Sequence, residues 1–290
     1  MGLSRFDYYA PDTIDEACKL AAELGEGAML MAGGTDLLLK VKRKMISPRA
    51  VIDIKKIQGL DEISFDEEKG LTIGSTVTLT TIENHPLIKD KYPAIADAVH
   101  ATANVQIRNM ASITGNLCNA APSAENAPAL MAMGAKVNVS GPDGTKLIPL
   151  DEFFMGPGQT VLKQGELITS VNVPVPPVGS GTSYQHISAR GKVDISAVGV
   201  GAMLTMNGDV CEDARIFLGA VAPVPMMAVN AQNVLKGNKV TEELLQTAGL
   251  EASKEAKPIT DMRASAEYRT LMVAVLTGRA IGESIKRAAE

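Results

Sequence analysis

The sequence predicts an α+β fold built from two successive domains, and three observations support this. First, 290 residues are enough for two domains with substantial cores. Second, the last third shows strand-like runs followed by helical ones, an α+β order. Third, a stretch rich in proline and glycine at 174–181 is the best linker candidate in the chain. We therefore expect one domain at 1–175, with subdomains of about 1–58 and 59–175, and a second domain at 176–290.

Composition and charge exclude several classes of function. The formal net charge of −5 argues against a nucleic-acid surface, because neutralising phosphates requires clustered Lys and Arg. The one basic cluster, at 40–44, is short and is best interpreted as a solvated helix end. No apolar run approaches the roughly 20 residues of a membrane span. We expect this chain neither to bind nucleic acid nor to contain a membrane-spanning segment.

The cysteines and the first residues indicate the compartment. Cys18, Cys118 and Cys211 lie far apart and form no CxxC pair, so a disulfide framework, a zinc site and an iron–sulfur site are all disfavoured. The opening residues show no basic segment followed by an apolar core, as a signal peptide would. We therefore expect a cytoplasmic protein without a metal site of its own, and Cys18 is expected in the core.

The first elements follow from capping and spacing. Thr13 and Glu16 form a capping-box pattern before a helix that ends at Gly25. A short apolar strand at 28–31 leads to a first glycine loop, after which a helix should begin at Leu37, capped by Thr35 or Asp36. A further strand at 51–54 closes this small α/β unit.

The later elements follow from apolar runs. The predicted strands before the linker are 70–74, 77–79, 136–140, 146–150 and 167–173, and a helix is expected at about 95–103, with an apolar segment at 127–133. Beyond the linker we expect strands at 195–206 and 214–221, followed by helices, of which the last spans about 264–289.

Two glycine-bearing loops predict a dinucleotide site. Ala32-Gly-Gly-Thr-Asp36 and the stretch 112–126 each place glycine among small hydroxyl or amide residues, beside an apolar run. Glycine lets backbone N–H groups approach a pyrophosphate, so two facing loops could hold one through main-chain dipoles. A purely structural need for glycine at a strand-to-helix turn explains the first loop equally well. The first loop also lacks GxGxxG, which disfavours a nicotinamide-binding Rossmann domain.

The polar residues of these loops have different expected roles. The Asp36 carboxylate would repel a pyrophosphate, so we expect it to cap the helix or turn away. The second loop offers Ser112, Thr114, Asn116 and Asn119 as donors, and it offers Glu125 as an acceptor for sugar or ribityl hydroxyls. Each of these could also be a simple turn residue.

The histidines do not form a catalytic set. His85 precedes a proline in a turn and His100 lies on a helix, so both are interpreted as surface or core residues. His186 lies among Tyr184, Arg190 and Asp194 and is the one with a chance of contacting a ligand. The sequence contains no GxSxG elbow, HExxH or P-loop. We assign no catalytic residue and no metal ligand.

The chain resembles a specific family, the FAD-binding medium subunits of molybdenum hydroxylases, which include the flavoprotein subunits of carbon monoxide dehydrogenase and bacterial xanthine dehydrogenases. The resemblance runs nearly end to end in ordered matches. These are residues 6–11, the AGGTDLL stretch from Ala32, 51–54, 106–109, the second glycine loop, 165–169, 188–190, 194–196 and 261–269. It implies a two-part FAD-binding domain of the vanillyl-alcohol-oxidase-like (PCMH) type, followed by a smaller α+β domain of the CO dehydrogenase flavoprotein type.

The family's cofactor contacts carry over residue by residue. The backbones of 32–36 and 112–116 would hold the pyrophosphate, with Thr114 and Asn116 nearest the phosphates. Glu125 would bind the ribityl chain, Leu167 or Ile168 would flank the adenine, and His186 would lie near the isoalloxazine. The implied contacts are Ala32, Gly33, Gly34, Thr35, Asp36, Ser112, Thr114, Gly115, Asn116, Glu125, Leu167, Ile168 and His186.

Three positions depart from the family's usual pattern. Thr114-Gly115 replaces a Gly-Gly pair, Glu125 replaces an Asp, and His186 stands where a lysine is common. These departures affect the fine geometry and the flavin potential.

The resemblance implies a redox relay in a cytoplasmic hetero-oligomer. A large subunit would carry the molybdenum cofactor, and a small subunit would carry two iron–sulfur clusters of the 2Fe–2S type. This chain would collect their electrons on FAD and pass them to NAD⁺ or another acceptor. Two alternatives remain open: a self-contained FAD oxidoreductase of the same superfold, and a structural subunit that has lost flavin.

Overall fold

The computed structural model describes residues 5–191 and 193–290. The strands are β1 Asp7–Tyr9, β2 Ala28–Met31, β3 Ala50–Asp53, β4 Ile63–Asp66, β5 Gly70–Gly74, β6 Lys136–Gly141, β7 Gly144–Pro149, β8 Phe154–Gly156, β9 Gln159–Thr160, β10 Leu167–Val173, β11 Ser180–Ser188, β12 Ser196–Asn207, β13 Val210–Gly219 and β14 Met226–Met227. The helices are α1 Ile14–Leu24, α2 Leu37–Lys42, α3 Leu79–Asn84, α4 Pro86–Lys91, α5 Pro93–Ala101, α6 Val105–Arg108, α7 Ile113–Asn119, α8 Asn126–Ala132, α9 Val229–Leu235, α10 Glu242–Glu255 and α11 Ala266–Ala288. The α+β class is confirmed.

The N-terminal unit is a three-stranded parallel sheet in the order β1-β3-β2. Helix α1 contributes its apolar side, including Cys18 at 4% exposure, to a core shared with this sheet. Thr13 caps the helix by accepting from the Glu16 N–H at 3.2 Å, and Gly25 ends it with a φ of +65°. The predicted N-cap at Thr13, strand at 28–31 and core position of Cys18 are confirmed. The capping box is present in part, because the Glu16 carboxylate accepts from the Asp12 N–H and not from that of Thr13.

The central unit packs helices α3, α5, α7 and α8 against a five-stranded antiparallel sheet in the order β4-β5-β10-β6-β7. Strands β5 and β10 have the bounds expected from the sequence. The predicted strand at 77–79 is wrong, because the Thr78 hydroxyl accepts from the Thr81 N–H and caps α3, which the sequence analysis missed. Thr78 itself has an extended backbone and pairs with Ser112 in an isolated β-bridge outside the named strands.

The C-terminal unit is a four-stranded antiparallel sheet, β11-β12-β13-β14, packed against α9, α10 and α11. Its second core combines the apolar side chains of β12 and β13 with those of the helices. Strand β11 was not predicted, since its sequence is rich in Ser, Gly and Thr and lacks apolar alternation. It carries Tyr184 and His186.

The C-terminal sheet packs directly on α8 and on the turn that precedes it. A Cβ at Gly201 would lie 2.3 Å from the Pro128 carbonyl oxygen, so only glycine allows this approach. The Ala220 N–H donates to the Pro122 carbonyl at 2.8 Å, and the Arg215 guanidinium donates to main-chain carbonyls of α8. The C-terminal unit therefore holds both α8 and the turn at 120–125 in place.

Arg269 is a buried anchor of the C-terminal unit. Its guanidinium donates to the carbonyls of Ala197 (2.7 Å) and Ala220 (3.0 Å) and pairs with Asp261 at 2.8 Å. Hydrogen bonds, first from the Arg263 backbone N–H, lower the pKa of Asp261 to about 2. The motif at 261–269 thus connects α11 to both strands of the β12–β13 hairpin, at the end opposite its turn. Among the described helices, none is both long and apolar enough to cross a bilayer.

Candidate functional site

The two glycine loops meet, as the sequence analysis expected. A Cβ on Gly33 would lie 1.9 Å from the Met110 carbonyl oxygen, and Gly34 has a φ of +71°. The first loop therefore rests on the segment that opens the second, and no residue but glycine fits at position 33. The Lys40 ammonium adds a second link by donating to Asn119 Oδ1 at 2.7 Å. The structural role of the first-loop glycines and their place in a site are thus compatible.

The first loop presents a row of main-chain donors. Within 5–191 and 193–290, the backbone N–H groups of 32–37 have no protein acceptor, and the first one used by the helix is that of Leu38, bonded to the Gly34 carbonyl at 2.9 Å. Consecutive unpaired N–H groups at the start of a helix attract anions. The predicted helix start at Leu37 is confirmed. Asp36, one of the two residues predicted as the cap, is the N-cap of α2, but its side chain is exposed and makes no capping hydrogen bond.

The second loop begins α7 and uses its polar side chains inwardly. Ser112 caps the helix by accepting from the Gly115 N–H at 3.1 Å. The buried Thr114 hydroxyl donates to the Ser75 carbonyl at 2.6 Å, so this residue can offer a phosphate only its backbone N–H. Asn116 Oδ1 accepts from Asn126 Nδ2 at 3.0 Å. Thr114 therefore anchors α7 to the residue that follows β5.

A buried polar cluster lies where the two domains meet. Glu125 is 7% exposed, and its Oε1 accepts from the Ser196 hydroxyl at 3.1 Å. The same hydroxyl lies 3.2 Å from His186 Nδ1, and the His186 ring stacks on Tyr184 with centroids 6.0 Å apart. Burial raises the pKa of Glu125 to about 7 and lowers the pKa of His186. The predicted residues Glu125 and His186 are thereby brought together.

Leu167 and Ile168 lie at the start of β10 and are each 3% exposed. Their side chains belong to two different apolar cores. A ligand could therefore meet this position through its backbone, and the adenine contact stays a prediction.

Sequence reasoning missed Ser75, Asn126 and Ser196 as partners of the site. Two of them contact residues far away in the chain, since Ser75 is 39 positions from Thr114 and Ser196 is 71 positions from Glu125. Asn126 contacts Asn116 ten positions earlier, within the second glycine loop. Neither spacing nor a motif connects such residues. Ser196 is the first residue of an apolar strand, and the sequence around it predicts that strand without indicating a role in the site.

The donor set suits the two kinds of polar group in a flavin dinucleotide. The main-chain N–H groups of the first loop match a pyrophosphate. A buried carboxylate with an acceptor oxygen matches a hydroxyl-bearing chain. In the described residues, no group of three or more His, Cys, Asp or Glu side chains is arranged to hold a metal ion.

Comparison with known proteins gives two family-model matches. Residues 4–176 match the FAD binding domain in molybdopterin dehydrogenase, and residues 183–284 match the CO dehydrogenase flavoprotein C-terminal domain. Together the two ranges span most of the chain.

Individual relatives match over nearly their whole length. The carbon monoxide dehydrogenase medium chain of Afipia carboxidovorans is 34% identical over 284 residues, covering 98% of both chains. The xanthine dehydrogenase FAD-binding subunit of Escherichia coli O157:H7 is 28% identical, covering 97% of this chain and 96% of the relative. In a carbon monoxide dehydrogenase structure from Hydrogenophaga pseudoflava, one chain superposes with a TM-score of 0.95 at 30% identity, with 99% of each chain covered.

Proposed function

Because this chain belongs to the family of FAD-binding subunits of molybdopterin dehydrogenases, we propose that it is the electron-transfer subunit of a molybdenum hydroxylase complex. It is an oxidoreductase subunit, and its cofactor is FAD. We also propose that the FAD-binding domain ends at residue 175 and that the individual residues predicted from the sequence contact FAD.

The row of unpaired N–H groups at 32–37, resting on the start of the second loop, is the observation that supports this proposal most strongly. These groups would bind the pyrophosphate together with the N-terminus of α7. Glu125 would orient the ribityl chain, and His186 would line the isoalloxazine side. Bound FAD accepts one or two electrons at a time, which suits a relay between one-electron clusters and a two-electron acceptor. The chain's own residues then need to bind and orient it.

The partners proposed are a large subunit with the molybdenum cofactor and a small subunit with two iron–sulfur clusters. The name "medium chain" carried by relatives supports a complex that also holds a larger and a smaller chain. Three exposed apolar side chains next to the glycine loops, Val105 (49%), Ile107 (39%) and Met110 (53%), also suit an interface with another subunit. The spacing of the three cysteines supports a cytoplasmic location.

The acceptor is proposed to be NAD⁺, with another oxidant as the alternative. The test is an anaerobic titration of the FAD-loaded full chain with NADH, following the flavin absorption bands. Bleaching at one equivalent of NADH supports NAD⁺ as acceptor. A flavin that dithionite reduces and NADH does not would remove NAD⁺ from the proposal.

A further inference from the structure

The chain His186–Ser196–Glu125 crosses the domain boundary. Glu125 precedes α8 in the FAD-binding domain, whereas Ser196 and His186 lie on neighbouring strands of the C-terminal sheet. Ser196 is 2% exposed and lies between the other two, with its hydroxyl oxygen 3.1 Å from Glu125 Oε1 and 3.2 Å from His186 Nδ1. His186 is the half-exposed end of this chain of contacts.

One hydroxyl proton makes the two contacts interdependent. The Ser196 hydroxyl carries a single hydrogen, so it can donate to Glu125 or to His186 and not to both. When it donates to the Glu125 carboxylate, His186 Nδ1 must carry a proton and donate to the Ser196 oxygen. The protonation state of the carboxyl group and the tautomer of the imidazole are therefore linked.

The surrounding backbone holds Ser196 in position. The carbonyl of the next residue, Ala197, accepts from the buried Arg269 guanidinium at 2.7 Å. On the Glu125 side of the contact, the Ala220 N–H donates to the Pro122 carbonyl, which belongs to the turn that carries Glu125. Both ends of the 3.1 Å contact are thus fixed by the C-terminal domain.

We propose that Ser196 is a positioning residue for the cofactor: its hydroxyl holds the Glu125 carboxylate in the FAD site and fixes which nitrogen of His186 is protonated. This inference rests on the proposed function, since Glu125 acts on FAD only if FAD binds here. It gives the C-terminal domain a direct part in the cofactor site.

A pH dependence follows, and the groups that face the cluster come from three elements. Tyr184 and His186 lie on β11, Ser196 on β12, and His100 on α5 acts on His186 by charge repulsion. The Ser196 hydrogen bond favours the ionised carboxylate and lowers the pKa of Glu125, which burial raises. Removing the hydroxyl should therefore move the titration of Glu125 to higher pH.

The test combines two measurements on the full-length chain. Carbon-13 NMR of glutamate-labelled apo-protein reads the carboxyl titration from about pH 5 to about pH 9, and Glu125→Gln identifies the signal. Flavin fluorescence quenching gives the Kd for FAD over the same range. The variants are Ser196→Ala, the hydroxyl-retaining Ser196→Thr, and a control, Ser180→Ala, at the far end of β11. Among the described residues, the Ser180 hydroxyl bonds only the Pro177 carbonyl.

We expect wild type, Ser196→Thr and Ser180→Ala to share one titration near pH 7 and one inflection in Kd. Ser196→Ala should titrate at higher pH and bind FAD about tenfold more weakly at pH 8. Equal titration and equal affinity in Ser196→Ala would overturn the proposal. If the proposed function is wrong, the result is different: wild type binds no FAD at any pH, while Glu125 still titrates at higher pH in Ser196→Ala. The role of Ser196 toward FAD would then be wrong as well.

Discussion

Replacing Glu125 by Gln should stabilise the apo-protein above neutral pH. In the folded chain, burial raises the pKa of this carboxyl group from 4.5 to about 7. A pKa raised by folding means that the folded state binds the proton more tightly than the unfolded state. The associated stability is complete below pH 4.5 and is lost as the pH rises through about 7.

The magnitude follows from the size of the shift. Each pKa unit corresponds to about 1.4 kcal/mol, so ionising Glu125 in the folded apo-protein costs about 3 kcal/mol. At 7% exposure the group is screened little by solvent. Gln carries no charge at any pH and avoids this cost. The stability of the variant relative to wild type should therefore grow by about 3 kcal/mol between pH 4.5 and pH 8.

The assay is thermal unfolding of apo-protein, followed by circular dichroism at several pH values. The difference in Tm between the Gln variant and wild type should increase by roughly 5–10 °C from acid to alkaline conditions. The matched control is Glu68→Gln, at an exposed turn, for which a constant difference is expected. A Tm difference for Glu125→Gln that does not change with pH would refute the reasoning, because the carboxyl group would then not be buried as described.

Three further substitutions test the packing around the site. Gly33→Ala places a methyl group 1.9 Å from a backbone carbonyl oxygen, so FAD titration should show at least a hundredfold loss of affinity. Gly278→Ala in α11, where the added methyl group would meet the Leu245 carbonyl oxygen at an ordinary contact distance of 3.8 Å, should instead raise the free energy of unfolding in urea by up to about 1 kcal/mol. Arg269→Ala leaves two buried carbonyls without their donor, removes one of the two guanidinium groups that pair with Asp261, and should lower the free energy of unfolding by about 3–5 kcal/mol. Arg263→Ala, whose more exposed guanidinium pairs with the same carboxylate, should cost about 1 kcal/mol or less, and equal costs would contradict this anchor. Thr114→Val should lower the free energy of unfolding by about 1–3 kcal/mol, because the Ser75 carbonyl loses the hydroxyl that donates to it. Thr114→Ser keeps a hydroxyl and should retain most of that stability, so equal stability of the two variants would show that the hydroxyl is not used.

Local patterns predicted most of the framework. The strand at 28–31 and the helix cap at Thr13 depend on neighbours within a few residues, and both are present as expected. The strand at 167–173 was also predicted with its observed bounds, because its apolar side chains are buried on both faces of the central sheet. The predicted strand at 77–79 failed because Thr78 favours both strands and helix caps, and the local sequence does not distinguish them.

The site was predicted in part for a related reason. The meeting of the two glycine loops followed from their composition and from the resemblance. The use of each side chain did not, because Thr114 and Glu125 find their partners 39 and 71 positions away. Contacts at such distances depend on how β5 and β12 pack, and a single sequence carries no pattern for that.

The central claim is that this chain binds FAD, through which electrons pass from iron–sulfur clusters to an acceptor. The most direct measurement is the absorption spectrum and cofactor content of the tagged chain purified from its native host. The account predicts an oxidised-flavin spectrum with about one FAD per chain, together with co-purifying subunits that contain iron and molybdenum. A purified chain without flavin, which also fails to bind added FAD, would contradict the account.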